Sequence, residues 1–172
     1  IEDMPNHLKE AVIASEDKRF YSHWGVDSQS FFRAVVVNVS SMSFRQGFST
    51  LSQQLARNIF KEVGFKDSIT RKLKEMITAV QIERTYTKNE ILEMYLNTVH
   101  FGHGTYGAES AAKRFFNKTA SELTIGESAM LVGLLPSPAN YSPLRNLNKA
   151  IGRRSIVLKL MYNQDYINYQ EY

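Results

Sequence analysis

The sequence predicts a mainly α-helical domain, and three observations support this fold class. Apolar residues recur at helical spacing along most of the 172 residues. Residues 87–90 and 124–127 both have the Thr-x-x-Glu pattern of a capping box, which marks the start of a helix. The chain also lacks the alternation of strands and helices that builds a parallel sheet.

The composition is that of a globular domain, and it excludes several other classes of protein. Hydrophobic residues make up 43% and charged residues 22%, which argues against intrinsic disorder. There is no cysteine, so disulfides, thiolate metal sites and a cysteine nucleophile are excluded. The net charge of +4 suits an anionic partner. We assign residues 1–172 to one domain, and expect a fragment of a longer protein because the chain starts at Ile1.

The first predicted helices each have an apolar stripe. A short helix follows Met4, with Pro5 in its first turn, where proline is tolerated. A second helix begins near Ser49 and is amphipathic. Its apolar stripe consists of Leu51, Leu55 and Ile59, and its polar face consists of Gln53, Gln54, Arg57 and Lys61.

The remaining helices are predicted from periodicity, capping boxes and prolines. A helix from about Ser68 to Arg84 is expected to turn these apolar residues inward: Ile69, Leu73, Met76, Ile77 and Val80. Each capping box opens a further helix, and Pro136 and Pro138 end the later one. The last helix covers residues 148–162. Residues 31–39 fit a buried helix or a strand equally well.

Two patterns look like known sites but lack the surroundings that those sites need. Residues 102–107 match the dinucleotide fingerprint G-x-G-x-x-G, but a capped helix precedes them instead of the strand of a βαβ unit. We therefore interpret them as a loop in which small residues allow close backbone approach. His100 and His103 have no carboxylate partner in a metal-binding pattern, so we assign no metal to them.

The acidic pair Glu16 and Asp17 is a candidate for general acid–base chemistry. It lies at the predicted end of an apolar helix and is followed by aromatic residues and a glycine turn. Apolar surroundings raise the pKa of a carboxyl group towards a catalytically useful range. In the alternative interpretation, Asp17 caps backbone amides and Glu16 is simply solvated. The residues alone leave these two interpretations equal.

Two polar helix faces together predict a binding site for phosphate or pyrophosphate. Arg71, Lys72 and Glu75 share one face of their helix, since they are three and four residues apart. The preceding helix offers Gln53, Gln54 and Arg57. If the faces meet, amide groups and cations surround an anion. The alternative is an ordinary surface cluster of ion pairs.

Five sequence motifs follow one another in order along nearly the whole chain. The first comprises Glu16, Asp17, Phe20, His23, Gly25 and Asp27. The second comprises Gly47, Ser49, Thr50, Gln53, Gln54, Leu55 and Asn58. The third comprises Arg71, Lys72 and Glu75.

The last two motifs lie in the carboxyl-terminal half. The fourth comprises residues 90–93 and 95–97, then Gly102, Gly104, Gly107, Ala111 and Ala112. The fifth comprises Glu127, Ala129, Leu131, Gly133, Leu134, Pro138, Tyr141 and Pro143. With these five motifs the chain resembles the peptidoglycan glycosyltransferase domain of class A penicillin-binding proteins and monofunctional glycan polymerases (glycosyltransferase family 51). It departs from that family at Phe48, where a second glycine is common, and at Arg57, where lysine is commoner.

The resemblance implies a lysozyme-like, mainly α-helical domain with a smaller membrane-facing lobe. The implied activity is polymerisation of lipid II into β-1,4-linked glycan, with inversion at the anomeric carbon and release of undecaprenyl pyrophosphate. Glu16 would be the general base and Asp17 would position it. Glu75 would orient sugar or cations and stabilise oxocarbenium charge. The residues implied to bind substrate or its pyrophosphate are Ser49, Gln53, Gln54, Arg57, Arg71 and Lys72.

The resemblance also implies the surroundings in which the domain works. The partners would be lipid II, the growing lipid-linked glycan, the membrane surface, a carboxyl-terminal transpeptidase domain and cell-wall synthesis proteins, without nucleic acid. The location would be the outer face of the bacterial cytoplasmic membrane, with an anchor outside residues 1–172. No tightly bound cofactor is implied, and Mg²⁺ would assist the leaving pyrophosphate.

Two other functions remain open from the residues. A lysozyme-like hydrolase or lytic enzyme also uses acidic residues on glycan strands, but it would not require the cluster of Arg57, Arg71 and Lys72. A non-catalytic basic module that binds lipid or nucleic acid would spread its cations over a broad patch instead of gathering them around carboxylates.

Overall fold

The computed structural model describes residues 4–30, 32, 49–60 and 69–172, and most of these residues are α-helical. The predicted fold class, mainly α, is confirmed. The helices are α1 (Asn6–Glu16), α2 (Leu51–Ile59), α3 (Ile69–Thr85), α4 (Lys88–Thr98), α5 (Ala108–Phe116), α6 (Ile125–Leu134), α7 (Pro138–Tyr141) and α8 (Leu147–Tyr162). Strands β1 (His100–Gly102) and β2 (Thr105–Tyr106) pair antiparallel as a hairpin. The ambiguous residues 31–39 lie, apart from residue 32, outside the described ranges.

The chain divides into two compact units. The terminal unit comprises Ile1–Lys18 together with Leu92–Tyr172, and the central unit comprises Arg19–Ile91. In the terminal unit, α6 packs against α1 and α8, and α1 also packs against α8. Helix α6 forms the centre of this core because nearly all of its second half is buried, including Leu131, Val132 and Leu134. Burial of each such side chain contributes roughly 1.5–3 kcal/mol to folding.

Helix α1 is held in the terminal unit at both ends. Pro5 is its N-cap, in an extended conformation with ψ of 146°, so the proline precedes the first turn instead of lying within it as predicted. His7 Nε2 lies 2.7 Å from the Leu123 carbonyl oxygen. Near the other end, the Gln164 side-chain amide donates a hydrogen bond to the Ala14 carbonyl oxygen at 3.0 Å. These contacts fix the helix turn that precedes Glu16.

The glycine-rich segment at residues 102–107 is the hairpin that joins β1 and β2, which confirms the loop interpretation. His103 at the turn has a φ of +52°, and the glycines on either side of it also have positive φ. A Cβ atom on Gly107 would lie 2.7 Å from the Asn97 carbonyl oxygen. Small residues are therefore needed here for backbone approach, and the segment does not have the strand–turn–helix geometry of a nucleotide-binding loop.

In the central unit, α2 packs against α3, and a turn at Gly25 contacts both helices. Thr50 is the N-cap of α2, and its hydroxyl also donates a 2.6 Å hydrogen bond to the Gly25 carbonyl oxygen. Gly25 has a φ of +85°, and a Cβ atom there would lie 2.7 Å from the Ala79 carbonyl group. Only glycine tolerates both the conformation and the contact.

The prediction that α3 turns its apolar residues inward is wrong for Ile69, Leu73 and Ile77, whereas Met76 and Val80 are half-buried. Ile69, Leu73 and Ile77 are 82%, 55% and 62% exposed, whereas the buried residues are Glu75, Ala79, Ile82 and Glu83. In α2, Leu51 and Leu55 of the apolar stripe are buried, but Ile59 is exposed and Gln53 on the polar face is buried. The reason is that ion pairs and hydrogen bonds join the facing polar sides of α2 and α3. Among the described helices, none is long and apolar enough to cross a bilayer.

Candidate active site

The Glu75 carboxylate is the centre of a cluster of cations in the central unit. Glu75 is completely buried. Arg71 Nη1 donates a hydrogen bond to Glu75 Oε1, and Arg57 Nη1 lies 3.8 Å from the same oxygen. Lys72 Nζ donates to Oε2 at 3.1 Å. The spacing within α3 explains two of these contacts, because residues three and four positions apart share a helix face.

Lys72 connects this cluster to α2 and the residues before it. Its ammonium group donates hydrogen bonds to Ser49 Oγ at 2.8 Å and to Gln53 Oε1 at 2.9 Å. The two polar faces therefore meet, as the phosphate-site prediction required. We call the set Ser49, Gln53, Arg57, Arg71, Lys72 and Glu75 the cation cluster. Gln54, also predicted to bind substrate, lies half-buried on α2 beside Gln53.

The cation cluster has an excess of positive charge. Its one carboxylate, Glu75, contacts three cations. Burial lowers the pKa of Lys72, Glu75 opposes this shift only in part, and the nearby Arg57 and Arg71 lower the pKa further. Holding three cations together is costly unless an anion compensates them. The arrangement is therefore suited to bind a group with two or more negative charges, such as pyrophosphate.

The second predicted pair, Glu16 and Asp17, lies at the end of α1 in the terminal unit. Glu16 is the last residue of the helix and is half-buried. The Ser15 hydroxyl lies 3.4 Å from Glu16 Oε1, which is a long contact. Asp17 is 6% exposed, and its backbone N–H donates to the Ile13 carbonyl oxygen at 3.1 Å as the helix C-cap.

A family model described as Transglycosylase matches residues 1–162. The chain belongs to the transglycosylase family. Over 99% of its length it is 43% identical to "Penicillin-binding protein 1F" of Bacillus subtilis (strain 168), of which it covers 24%. It is 41% identical over its whole length to "Penicillin-binding protein 1A" of Escherichia coli (strain K12), of which it covers 20%. The chain thus spans about a fifth to a quarter of these relatives.

A solved structure supports the fold of this transglycosylase domain. The crystal structure of Penicillin-Binding Protein 1A from Haemophilus influenzae superposes with a TM-score of 0.58, covering 99% of this chain and 16% of that one. The sequence identity in this comparison is 24%, so the likeness concerns the fold alone. The recognition of a penicillin-binding-protein transglycosylase domain from its five motifs is confirmed.

Asp27, another residue of the first transglycosylase motif, stabilises a turn in the central unit. Asp27 accepts hydrogen bonds from the Ser30 backbone N–H at 3.0 Å and from the Ser30 hydroxyl at 2.5 Å. It also forms an ion pair with Arg19 at 2.8 Å. Burial raises the pKa of Asp27, but the hydrogen bonds from Ser30 and Arg19 outweigh it, so the pKa lies below its ordinary value.

A second buried glutamate on α3, Glu83, was missed by the sequence interpretation. Its Oε1 atom accepts hydrogen bonds from the Ser52 hydroxyl at 2.5 Å and from Lys88 Nζ at 2.7 Å. One feature of the sequence could have identified Glu83. Glu83 lies eight residues after Glu75, so the two glutamates share a face of α3, and a face that carries one buried carboxylate is a candidate for another.

The cation cluster does not fit a site for Mg²⁺ held by the protein alone. Magnesium prefers several oxygen ligands, including one or more carboxylates free to bind it. Glu75 already contacts three cations, which would repel a metal ion at the same oxygens. Within the ranges that the structure describes, no group of three or more His, Asp or Glu side chains is arranged to hold a metal.

Proposed function

We propose that this transglycosylase domain polymerises lipid II into β-1,4-linked glycan strands and is thus a peptidoglycan glycosyltransferase. The observation that carries the proposal is the cation cluster, in which a buried Glu75 holds Arg57, Arg71 and Lys72 together. A lysozyme-like hydrolase has no anionic leaving group and no use for such a cluster. The similarity to penicillin-binding proteins 1F and 1A supports the same choice.

The proposed reaction is a displacement at the anomeric carbon of the lipid-linked donor glycan. The 4-hydroxyl oxygen of the acceptor lipid II forms a bond to that carbon while the bond from the carbon to the pyrophosphate oxygen breaks. The electron pair of the broken bond leaves with undecaprenyl pyrophosphate. Attack from the opposite side inverts the anomeric centre to β. The proton of the attacking hydroxyl goes to Glu16, the general base, and we assign Asp17 the role of positioning that carboxylate.

The cations act on the leaving group. Pyrophosphate gains negative charge as the bond to carbon breaks, and cations that are already oriented stabilise this charge without rearranging. Arg57 and Arg71 have planar guanidinium groups that can donate bidentate hydrogen bonds, and Lys72 has a compact point charge. Because the leaving group is already an anion, it needs no proton from a carboxylic acid.

Of the two roles that the resemblance gave Glu75, the contacts favour the orientation of cations. A carboxylate that is completely buried and surrounded by three cations has little negative charge left to stabilise an oxocarbenium ion. We therefore regard Glu75 as a positioning residue for Arg57, Arg71 and Lys72. We assign Gln54 a hydrogen bond to sugar or phosphate, and we assign Ser49 and Gln53 the orientation of Lys72.

We also propose that the domain works at the outer face of the bacterial cytoplasmic membrane. The support is the exposed face of α3, where Ile69, Leu73 and Ile77 are turned away from the unit's own core. An adjoining cavity of about 430 Å³ is lined by Ile77 and Phe60 and by the cation Lys74. Apolar side chains beside a cation suit a surface of anionic lipids. A transpeptidase domain in the longer protein is part of the same proposal, because the relatives are four to five times longer.

The proposal is tested with purified lipid II in detergent, with and without Mg²⁺, and with the products resolved on a gel. We compare the wild type, Glu16→Gln and a matched control, Glu10→Gln, which makes the same change on the same helix. We expect polymer from the wild type and the control. Glu16→Gln should be slower by about 10²–10⁴-fold, the usual contribution of a general base.

The outcomes separate the activity from the assignment of its base. If Glu16→Gln polymerises lipid II as fast as the control, the transferase stands and Glu16 is not the base. If the wild type neither polymerises nor binds lipid II, the proposed function is contradicted. Digestion of purified cell-wall sacculi by the wild type would instead identify a hydrolase.

A further inference from the structure

A second polar cluster in the central unit lies beneath exposed aromatic residues. The Glu83 side chain is 3% exposed. Its Oε1 atom accepts hydrogen bonds from the Ser52 hydroxyl and from the Lys88 ammonium group. Lys88 Nζ also donates to the His23 carbonyl oxygen at 2.7 Å and lies 4.5 Å from the centre of the Phe20 ring. None of these residues belongs to the cation cluster.

This polar cluster is open to a cavity of about 320 Å³ on one side. Glu83, Lys88 and His23 contribute to the lining, and so do the aromatic residues Tyr21, Trp24 and Tyr86. The three aromatic side chains are 59%, 75% and 44% exposed. The volume lies at the lower end of the range for small-molecule sites, roughly 300–1,000 Å³.

The charges in the cavity compensate each other. Lys88 forms a 2.7 Å ion pair with Glu83, so the pair has no net charge. His23 Nδ1 is 4.0 Å from Glu83 Oε1 but accepts a 3.1 Å hydrogen bond from the Gly25 N–H, so it is not a donor to the carboxylate. A cationic ligand would meet the Lys88 ammonium group, and an anionic ligand would meet Glu83. The cavity therefore favours a neutral ligand.

Glu83 offers such a ligand an acceptor. Both of its hydrogen bonds are made to Oε1, and Oε2 receives none from the residues that the structure describes. A carboxylate oxygen in this position accepts a hydroxyl or amide hydrogen from a ligand, and the bond is strong because the acceptor is charged. A purely apolar ligand would leave this oxygen buried without a partner, which is unfavourable.

We propose that this cavity is a binding site for a neutral saccharide. A pyranose ring has C–H groups on its faces and hydroxyl groups on its edge. Its faces pack on the exposed rings of Trp24 and Tyr21, and an edge hydroxyl donates to Glu83 Oε2. Aromatic side chains that combine a large apolar face with a polar atom suit this kind of ligand. The inference goes beyond the proposed function and stands on its own residues.

The test uses the fluorescence of Trp24, which is the only tryptophan in the sequence. The protein is titrated with tetra-N-acetylchitotetraose, a neutral β-1,4-linked tetrasaccharide. The matched ligand is chitotetraose, which has the same skeleton with free amines, at a pH where the amines are protonated. We expect a saturable change in Trp24 emission with the neutral tetrasaccharide and weaker binding of the cationic one.

A pair of variants with equally exposed tyrosines tests the location of the site. Tyr21 is 59% exposed and lines the cavity, whereas Tyr106 is 60% exposed and belongs to the terminal unit. We expect Tyr21→Leu to raise the Kd of the neutral tetrasaccharide about tenfold, since an aromatic contact is lost. Tyr106→Leu should leave the Kd within about twofold of the wild type.

Three results would overturn the saccharide site. These are no saturable change in Trp24 emission, tighter binding of the cationic tetrasaccharide than of the neutral one, and equal weakening by Tyr21→Leu and Tyr106→Leu. Trp24→Leu, measured by calorimetry because the fluorophore is lost, gives an independent result and should also weaken binding. Circular dichroism of each variant separates unfolding from loss of the ligand contact. Polymerisation of lipid II is not a readout here, so the two proposals fail independently.

Discussion

The two buried glutamates of α3 have very different surroundings, although they lie on one face of one helix. Glu75 contacts Arg57, Arg71 and Lys72, so its surroundings have a surplus of positive charge. Glu83 contacts one cation, Lys88, and one hydroxyl, from Ser52, so its surroundings are neutral. The number of cations around a carboxylate thus separates an anion-binding site from a site for a neutral ligand. Contacts around both glutamates also hold α2 against α3.

The largest expected effect is on catalysis. Glu75→Gln should lower the rate of lipid II polymerisation about 10²–10³-fold, because the cations that stabilise the leaving pyrophosphate lose the carboxylate that orients them. Glu83→Gln makes the same change eight residues away on the same helix and should cost less than about tenfold. The rates are measured under single-turnover conditions. Equal losses in the two variants would mean that the two clusters are not functionally distinct.

The next effect is on stability. Glu83→Ala leaves the Lys88 ammonium group without its carboxylate and should lower the free energy of unfolding by about 3 kcal/mol. The control is Lys74→Ala, which removes an exposed cation from α3 and should change the free energy by less than about 0.5 kcal/mol. Urea unfolding measures both. A loss below about 1 kcal/mol for Glu83→Ala would show that the pair contributes little to holding α2 against α3.

Removing the hydroxyl group of Ser52 or of Ser49 should have smaller effects, and the two effects should differ in kind. Ser52→Ala removes the hydrogen bond to Glu83 and should cost about 1 kcal/mol of stability while leaving polymerisation unchanged. Ser49→Ala removes a hydrogen bond from Lys72 and should instead raise the KM for lipid II by a few-fold. Thermal unfolding and steady-state kinetics are measured on both variants. If the two variants behave alike, the division between the clusters is wrong.

The smallest effect is on the pH dependence of the reaction. Because the pKa of Lys72 is lowered by burial, this cation is lost at a lower pH than an ordinary lysine would be. The rate of polymerisation should therefore begin to fall at a lower alkaline pH than it would with an ordinary lysine at this position. Lys72→Arg should move that fall to higher pH, because arginine stays charged. The control is Lys74→Arg, an exposed lysine on the same helix, and an unchanged alkaline limb in Lys72→Arg would contradict the assignment.

Between these pH values, the stability that Lys72 contributes changes with pH in the opposite direction to the activity. Between the lowered pKa of Lys72 and the ordinary pKa of a lysine, the unfolded chain binds more protons than the folded one. The contribution of this group to stability therefore rises with pH in that window, while the activity falls. Unfolding measured across the alkaline range in the wild type and in Lys72→Arg tests this.

The sequence predicted the helices better than it predicted which of their faces are buried. Capping boxes at Thr87 and Thr124 and the prolines after α6 are local signals, so the helix positions followed from them. The buried face of α3 was predicted wrongly because an argument from hydrophobic periodicity treats every apolar stripe as buried. In α3 the buried side is fixed by partners on α2, and no local pattern reveals them.

The candidate site was predictable to the extent that its residues share a helix. Arg71, Lys72 and Glu75 were found from their spacing, and Gln53 and Arg57 from the polar side of α2. That the two sides meet was a hypothesis, because Lys72 contacts Ser49 across 23 residues of chain. Glu83 was missed for the same reason, since its partner Ser52 is 31 residues away. The spacing motifs that indicate chemistry contain no information on such distant pairs.

The turn at Gly25 has a consequence for how the central unit folds. Its carbonyl oxygen accepts the Thr50 hydroxyl 25 residues away, and its Cα packs against the backbone of Ala79 in the middle of α3. Three segments far apart in sequence must therefore meet before both of these contacts are made. Contacts of long sequence separation slow folding, since the loops close before the contacts stabilise them. A methyl group at position 25 would clash with the Ala79 carbonyl group, so the missing side chain is what allows these distant segments to come together.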